Sequence, residues 1–349
     1  MKDHDHALAL AAQVRAAYDA DAPLEIVAGG TRRAFGRSPA GAPLSVAAHT
    51  GIVEYDPTEF VVTVRAGTPM VALEEVLGRE RQVLMVDVPR FSAASTIGGA
   101  LAIGLTGPSR PYSGALRDAV LGARIVSGTG EILRFGGQVL KNVAGFDVAR
   151  LMVGSYGTLG LLLDVSLRVA RCADAEVVRD LALDWRTAHA ALRRWEGALP
   201  VTGACYADGV LHVRLAGREE RVAAARQIIG GETGEPTLFH ELRDLRGPFF
   251  SQPGDLWRLL VPSDAPWDPQ ETLIDWAGAQ RFWRFSGDPQ PVLEHAARYR
   301  GQAMRLLGAD RSQGPWAAPA PATMALMARV KAAMDPRAIL NRGRLYPDW

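Results

Sequence analysis

The sequence predicts an α+β protein of two lobes, and three observations lead there. At 349 residues the chain is too long for one small core, and at about 150 residues per domain it suggests two. Short β-rich runs and amphipathic helical stretches occur in both halves, which is the texture of layered α+β architecture. Composition shifts near 171–177, because all eight tryptophans fall after residue 184 and the glycine-dense loops stop before it. The expected division is 1–172 for a first lobe, 173–330 for a smaller α+β lobe, and 331–349 for a tail.

Residues 5–19 place Leu8, Ala11, Ala12, Val14 and Tyr18 near helical spacing and predict an opening helix. Strands joined by turns follow at 24–28, 44–47, 52–55 and 60–65, punctuated by Gly, Pro and Asp. Thr68 as N-cap and Pro69 at the first position predict a helix through Leu77. The stretch 89–118 is dense in small residues and poor in charge, so it reads as a long loop with a ligand close against its backbone. Strands at 120–127 and 131–135 flank a Gly128-Thr-Gly130 hairpin turn, a loop, short helix and loop span 136–160, and 161–169 is a buried strand.

In the second lobe, strands are expected at 177–183, 204–206, 211–215, 256–261 and 280–285, and helices at 185–196, 218–229, 240–245 and 291–297. A last helix, 324–334, precedes the tail, and the Pro/Ala stretch at 314–322 reads as a surface connection.

With 39 Lys+Arg against 38 Asp+Glu, a net charge of +1 gives no general attraction to nucleic acid or an anionic membrane. Cys172 and Cys205 lie far apart and form no CxxC, so no disulfide framework, iron-sulfur cluster or zinc site is written here. The N-terminus carries acids and histidines where a secretory signal needs a basic start, and no apolar run approaches a membrane span. The expected location is cytoplasmic, with any contact at the inner membrane peripheral and made through partners.

Neither G-x-G-x-x-G after a strand nor G-x-x-x-x-G-K-[ST] occurs, which sets aside a Rossmann dinucleotide site and a P-loop. Three glycine-rich loops remain: 29–37 (GGTRRAFGR), 95–100 (STIGGA) and 154–160 (GSYGTLG). Paired glycines let backbone N–H groups converge on an anion, and Arg32 and Arg33 add cations beside the first loop. One such loop is ordinarily a tight turn; three in one lobe point to a diphosphate-bearing cofactor.

The succession AGGTRRAFGR, STIGGALAIGLTGPSRPYSGALRDAVLGARIV, LKNVAGFDVARLMVGSYGTLGLLLDVSLRV and DPRAILNRGR resembles the vanillyl-alcohol-oxidase, or PCMH-type, FAD-binding domain. Within that superfamily it is most similar to the E subunits of bacterial glycolate oxidases, over essentially the whole length. The resemblance implies a two-lobed PCMH-type FAD-binding domain, a cap-like second domain, and a tail returning to the flavin region. Gly29, Gly30, Thr31 and Arg32 match the loop that wraps the pyrophosphate, and Ser95, Thr96, Gly98 and Gly99 match a second loop over phosphate and flavin. Gly107, Tyr112, Gly114, Arg117 and Asp118 fall in the continuation of that loop. Gly157 and Leu159 match the return strand along the adenosine, and Asn341 and Arg344 the tail segment near the flavin. The stretches 28–37 and 89–118 hold neither His nor Cys, so the FAD is expected to be non-covalent. The tail carries Arg342 where the family pattern has Pro after the Asn.

Metal-using relatives that oxidise lactate or glycolate present clustered histidines in the second lobe, whereas the seven here, at 4, 6, 49, 189, 212, 240 and 295, are dispersed. No metal and no complete hydroxy-acid site are therefore expected, and the catalytic residues stay unassigned. Arg110 and Arg117 would either hold a carboxylate or pair structurally with Asp118. Lys141-Asn142 would either approach the flavin or cap the short helix from Asp147. The resemblance implies an oxidoreductase subunit that acts on glycolate or D-lactate with a catalytic flavin subunit and an iron-sulfur subunit, and not alone. The alternatives are a structural docking subunit that binds FAD without turnover, and a stand-alone FAD-dependent oxidoreductase.

Overall fold

The computed structural model describes residues 4–137, 147–268, 273–308, 311, 319–347 and 349. Lys141, Asn142 and residues 314–318 of the expected surface connection lie outside the described residues.

The strand Leu161–Arg171 is the spine of a six-stranded sheet: the alternate residues Leu161, Leu163, Val165, Leu167 and Val169 are apolar, and seven residues in succession are buried. Val61–Arg65 pairs with it on one side and Val120–Val126 on the other, all antiparallel, with Ile52–Asp56 and Ile132–Gly136 at the edges. Gln82–Leu84 joins its far end. One face is covered by Met70, Leu73 and Leu77 of the helix Met70–Arg79 and by Ile97 and Leu101; the other by Leu10 and Val14 of the helix Ala7–Asp19.

Two expectations in this half change. Thr68 does not cap the helix; its hydroxyl accepts from Gly51 N at 3.0 Å and donates to Gly51 O at 3.3 Å, tying the turn between strands instead. The stretch 89–118 is not one loop but contains helices Ile97–Ile103, Arg110–Ser113 and Leu116–Ala119. Small residues serve close packing there: a side chain at Gly98 would meet Ala66 Cβ at 2.7 Å. Tertiary contact thus overrides the poor helix propensity of Gly98 and Gly99.

After Arg171 the chain enters an eight-stranded antiparallel sheet, ordered Glu232–Thr233, Ala175–Ala182, Val210–Gly217, Val201–Ala207, Leu273–Asp275, Gln280–Arg284, Leu256–Leu260, Gln302–Leu307. Leu273–Asp275 and Gln302–Leu307 are strands that sequence periodicity did not bring out. The helices Trp185–Trp195 and Glu219–Ile229 pack on one end of this sheet and Gln290–Arg298 on the other. Between the two sheets lies a shared core in which Phe35, Ile103, Leu105 and Tyr156 meet Phe239, Leu242, Leu256 and Phe282.

The helix Pro321–Met334 then returns the tail to the first sheet region, where Leu24 N donates to Ile339 O and Asn341 N to Leu24 O, each at 2.8 Å. The tail thereby extends the short parallel pair Leu24–Val27 and Ala42–Ser45.

Candidate functional site

The three glycine loops and the tail converge on one cleft of about 750 Å³, counting its open mouth. Of the residues singled out from sequence, Gly29, Gly30, Thr31, Arg32, Thr96, Gly98, Gly99, Gly157, Asn341 and Arg344 line it. They come from positions more than 300 residues apart, brought together because the tail runs beside Leu24–Val27.

The first two loops touch backbone to backbone. A Cβ on Gly29 would lie 1.6 Å from Ala94 O, so no other residue fits, and Thr31 Oγ1 and Ser95 Oγ share a hydrogen bond of 3.0 Å. Ser95 therefore supports the cleft from behind and does not line it. Asn341 is held with φ +47°, its Oδ1 accepting from Ile26 N at 2.8 Å and its Nδ2 donating to Tyr156 O at 2.7 Å. Its amide thus ties together the strand, the third glycine loop and the tail, which is the work of a scaffold. The same contact requires glycine at 157, where a Cβ would sit 2.6 Å from Asn341 Nδ2 and φ is +69°.

The electrostatics are lopsided. Arg33, more than half exposed, is bound in a fork to Glu25 at 2.9 and 2.6 Å. Arg32 and Arg344, both buried, have no such partner among the described residues. Arg32 donates to Pro89 O and to Thr31 Oγ1, and its guanidinium lies 5.2 Å from the Phe91 ring. Arg344 donates from Nη2 to Arg32 O at 2.9 Å, while its Nε is buried without any hydrogen-bond partner. Burial pulls both guanidiniums down to about 10, and Arg311 nearby pushes Arg344 the same way. Two buried cations and an orphaned N–H, set among backbone turned outward by glycine, form a receptor for an anionic group.

Other predicted residues lie elsewhere. Leu159 points into the core under the six-stranded sheet rather than along the cleft. Gly107 lines a second, smaller cavity between the sheets, its carbonyl accepting from Trp276 Nε1 at 2.9 Å. Tyr112 packs on the core of the eight-stranded sheet, with its hydroxyl buried and unpartnered. Gly114 ends the Arg110–Ser113 helix with φ +89°, Asp118 accepts from Ala115 N at 2.9 Å, and Arg117 approaches Asp118 at 3.9 Å on the surface. Arg110 lies over the Trp276 ring at 4.6 Å. Tyr156, Ile26 and Ile103 line the main cleft without having been singled out. Tyr156, inside the third glycine loop with φ +56°, was the one with a visible signal.

Among the described residues no group of three His, Cys, Asp or Glu side chains could hold a metal ion. His212 is bound to Asp180 at 2.7 Å, and His189 Nε2 is buried without a partner.

Fold and cleft together define an FAD-binding protein. The family model described as FAD binding domain matches residues 5–136, and FAD is the cofactor. Along its whole length the chain is 40% identical to glycolate oxidase subunit GlcE of Escherichia coli (strain K12), over 351 aligned residues that cover 100% of this chain and 99% of that one. The chain belongs to this family of glycolate oxidase subunits and is an FAD-dependent oxidoreductase subunit. It is also similar to glycolate oxidase subunit GlcD of Bacillus subtilis (strain 168), 34% identical over 34% of this chain and 25% of that one. The D-lactate dehydrogenase of Anaerostipes hadrus is 32% identical over 37% of this chain and 27% of its own length. Among solved structures, alkyldihydroxyacetonephosphate synthase shares the fold with a TM-score of 0.67 at 15% identity, over 97% of this chain and 75% of that one.

Proposed function

We propose that the main cleft holds the diphosphate of FAD, and that the chain serves 2-hydroxy-acid oxidation as one subunit of a complex. The observation that carries the site assignment is the pair of buried, acid-free guanidiniums of Arg32 and Arg344 beside the glycine loops. In this reading Gly29, Gly30, Thr31, Gly98 and Gly99 present backbone to the diphosphate, Arg32 and Arg344 neutralise it, and Ser95, Thr96, Gly157 and Asn341 hold the loops. No Cys or His lines the cleft, which supports non-covalent binding. When bound, FAD supplies a hydride acceptor.

Residues 1–172 are read as the FAD-binding domain, 173–330 as a cap-like or partner-binding domain, and 331–349 as the tail that closes the site. Electrons that leave the flavin need another carrier, since Cys172 and Cys205 are single free thiols. A catalytic flavin subunit and an iron-sulfur subunit fill that need, with glycolate or D-lactate as the substrate of the complex. Among the described residues no helix is long and apolar enough to cross a membrane.

The deciding experiment is an absorption spectrum of the purified chain, before and after anaerobic glycolate or D-lactate. Flavin bands that stay oxidised are the expected result for a subunit that depends on its partner. Absence of bands, with no gain in thermal stability from added FAD, would refute the cofactor assignment, since ligand at about 100 times Kd stabilises by about 2.7 kcal/mol.

A further inference from the structure

The second, smaller cavity, about 300 Å³ counting its open mouth, is formed where the eight-stranded sheet meets the continuation of the second glycine loop. Three of its polar lining residues come from neighbouring strands, and Thr106 and Arg243 supply the rest. Arg258, buried, donates from Nε to Gln280 Oε1 at 2.5 Å, and Gln280 Nε2 donates in turn to Asp275 Oδ2 at 3.0 Å. Of the other arginines nearby, Arg243 grips Asp244 with two bonds of 2.8 and 3.0 Å, Arg214 pairs with Asp87 at 2.8 Å, and Arg110 lies over the same Trp276 ring, its charge opposing that of Arg258. Arg258 has no ion pair with an acidic side chain among the described residues. Asp275, one carboxamide away, is fully enclosed and burial pushes it up to about 7; its carboxylate accepts from Trp276 N at 2.7 Å and from Gln280 rather than from the guanidinium.

Backbone strain marks the same place. Trp276 and Ala277 both lie in the left-handed region, at φ +52° and +53°, which costs roughly 1–3 kcal/mol for each non-glycine residue. The turn sets the indole N–H on Gly107 O and lays the ring 4.9 Å from the Arg258 guanidinium. Strain of this kind persists where the surroundings over-determine it, here to fix one guanidinium in one orientation beside a cavity.

We propose that Arg258 binds the carboxylate of a small carboxylic acid in this cavity, with Gln280 and Trp276 holding the guanidinium in position. The inference rests on the reading of the chain as a subunit of hydroxy-acid oxidation, and it gives that reading an acid-binding subsite. A carboxylate supplies the missing negative charge with a planar pair of acceptors that matches the guanidinium fork. No histidine lines the cavity, so the subsite binds an acid without a histidine base to take its hydroxyl proton.

The test uses the purified full chain with whatever FAD it carries, titrated calorimetrically with acetate, with glycolate and with neutral acetamide. Both carboxylates should bind and acetamide should not. Arg258→Gln should weaken carboxylate binding by at least about thirtyfold, as loss of one partner of a buried charge pair does, with FAD content unchanged. Arg258→Lys should restore part of the affinity. Wild-type chain that binds neither acid overturns the proposal, and so does an Arg258→Gln variant that loses FAD yet keeps its carboxylate affinity, which would assign the guanidinium to the cofactor. Because heat is read rather than colour, a chain without FAD refutes the cofactor reading separately from this one.

Discussion

The side chain of Arg344 illustrates how an unsatisfied group points to a ligand. Its Nε is buried with no acceptor, an arrangement that costs free energy unless something else completes it. Arg344→Gln should weaken FAD binding by about 1.5–3 kcal/mol, the range for hydrogen bonds to charged groups, or roughly tenfold to more than a hundredfold. Titration of the apoprotein with FAD measures this; unchanged affinity would remove Arg344 from the site. Asp275 supports a prediction in pH. Its folded pKa is raised from 3.8 to about 7, chiefly by burial, so the native state holds a proton that the unfolded chain has released. Its contribution is fully present below about pH 4 and is lost as pH rises to about 7, so stability falls across that window. Asp275→Asn should flatten that part of the profile, as urea unfolding at pH 5 and pH 8 would show. Asp164, shifted down, acts in the other direction and at lower pH, so it does not mask the effect.

Among the elements, the tail depends on one buried ion pair. Lys331 Nζ donates to Asp335 Oδ2 at 2.6 Å and to Thr158 O at 2.7 Å, while Asp335 accepts from the backbone N–H groups of Ile339 and Leu340. The pair thus sets the direction in which the chain leaves the last helix. Lys331→Met leaves the Asp335 carboxylate uncompensated, a change that costs about 3–5 kcal/mol when a buried pair is broken. Chemical denaturation should register that loss, and FAD occupancy should fall with it because Asn341 and Arg344 lie just beyond. The glycine loops were legible in the sequence because close backbone approach, as of Gly29 to Ala94 O, requires glycine, and that requirement is local. The strand Gln302–Leu307 was not, since an edge strand pairs on one side only and its alternation is weak. The helix Ile97–Ile103 was hidden for the opposite reason: the glycines that open the loop also allow the helix to sit against Ala66. The Arg258 cavity had no local signal at all, because Gly107, Arg258 and Asp275 meet only once both sheets are assembled.

At the level of the whole molecule, the two sheets are joined by polar links as well as by the shared aromatic core, and Asp244 is the centre of them. Its carboxylate, with the side chain wholly enclosed, accepts from Arg90 N across the junction at 2.8 Å and from Arg243 and Arg246 on its own side. Arg90 in turn reaches Glu74 on the helix Met70–Arg79 at 2.7 Å, and the Arg214–Asp87 pair crosses nearby. The junction also neighbours both clefts: Pro89 accepts from Arg32 of the main cleft, and Gly107 lines the second cavity. Asp244→Ala removes acceptors from two guanidiniums and one backbone N–H at once, leaving Arg243 half-buried and unpaired. The expected cost is about 3–5 kcal/mol, as for other broken buried charge pairs. Because one of the lost contacts, from Arg90 N to Asp244, crosses between the sheets, calorimetry should show a single unfolding transition in the wild type and two in the variant. Saturating FAD should raise the transition of the first sheet and tail alone, since the residues lining the proposed cleft come from 25–162 and from Asn341 and Arg344. A variant that unfolds in one step, at the wild-type temperature, would mean the aromatic core alone couples the sheets.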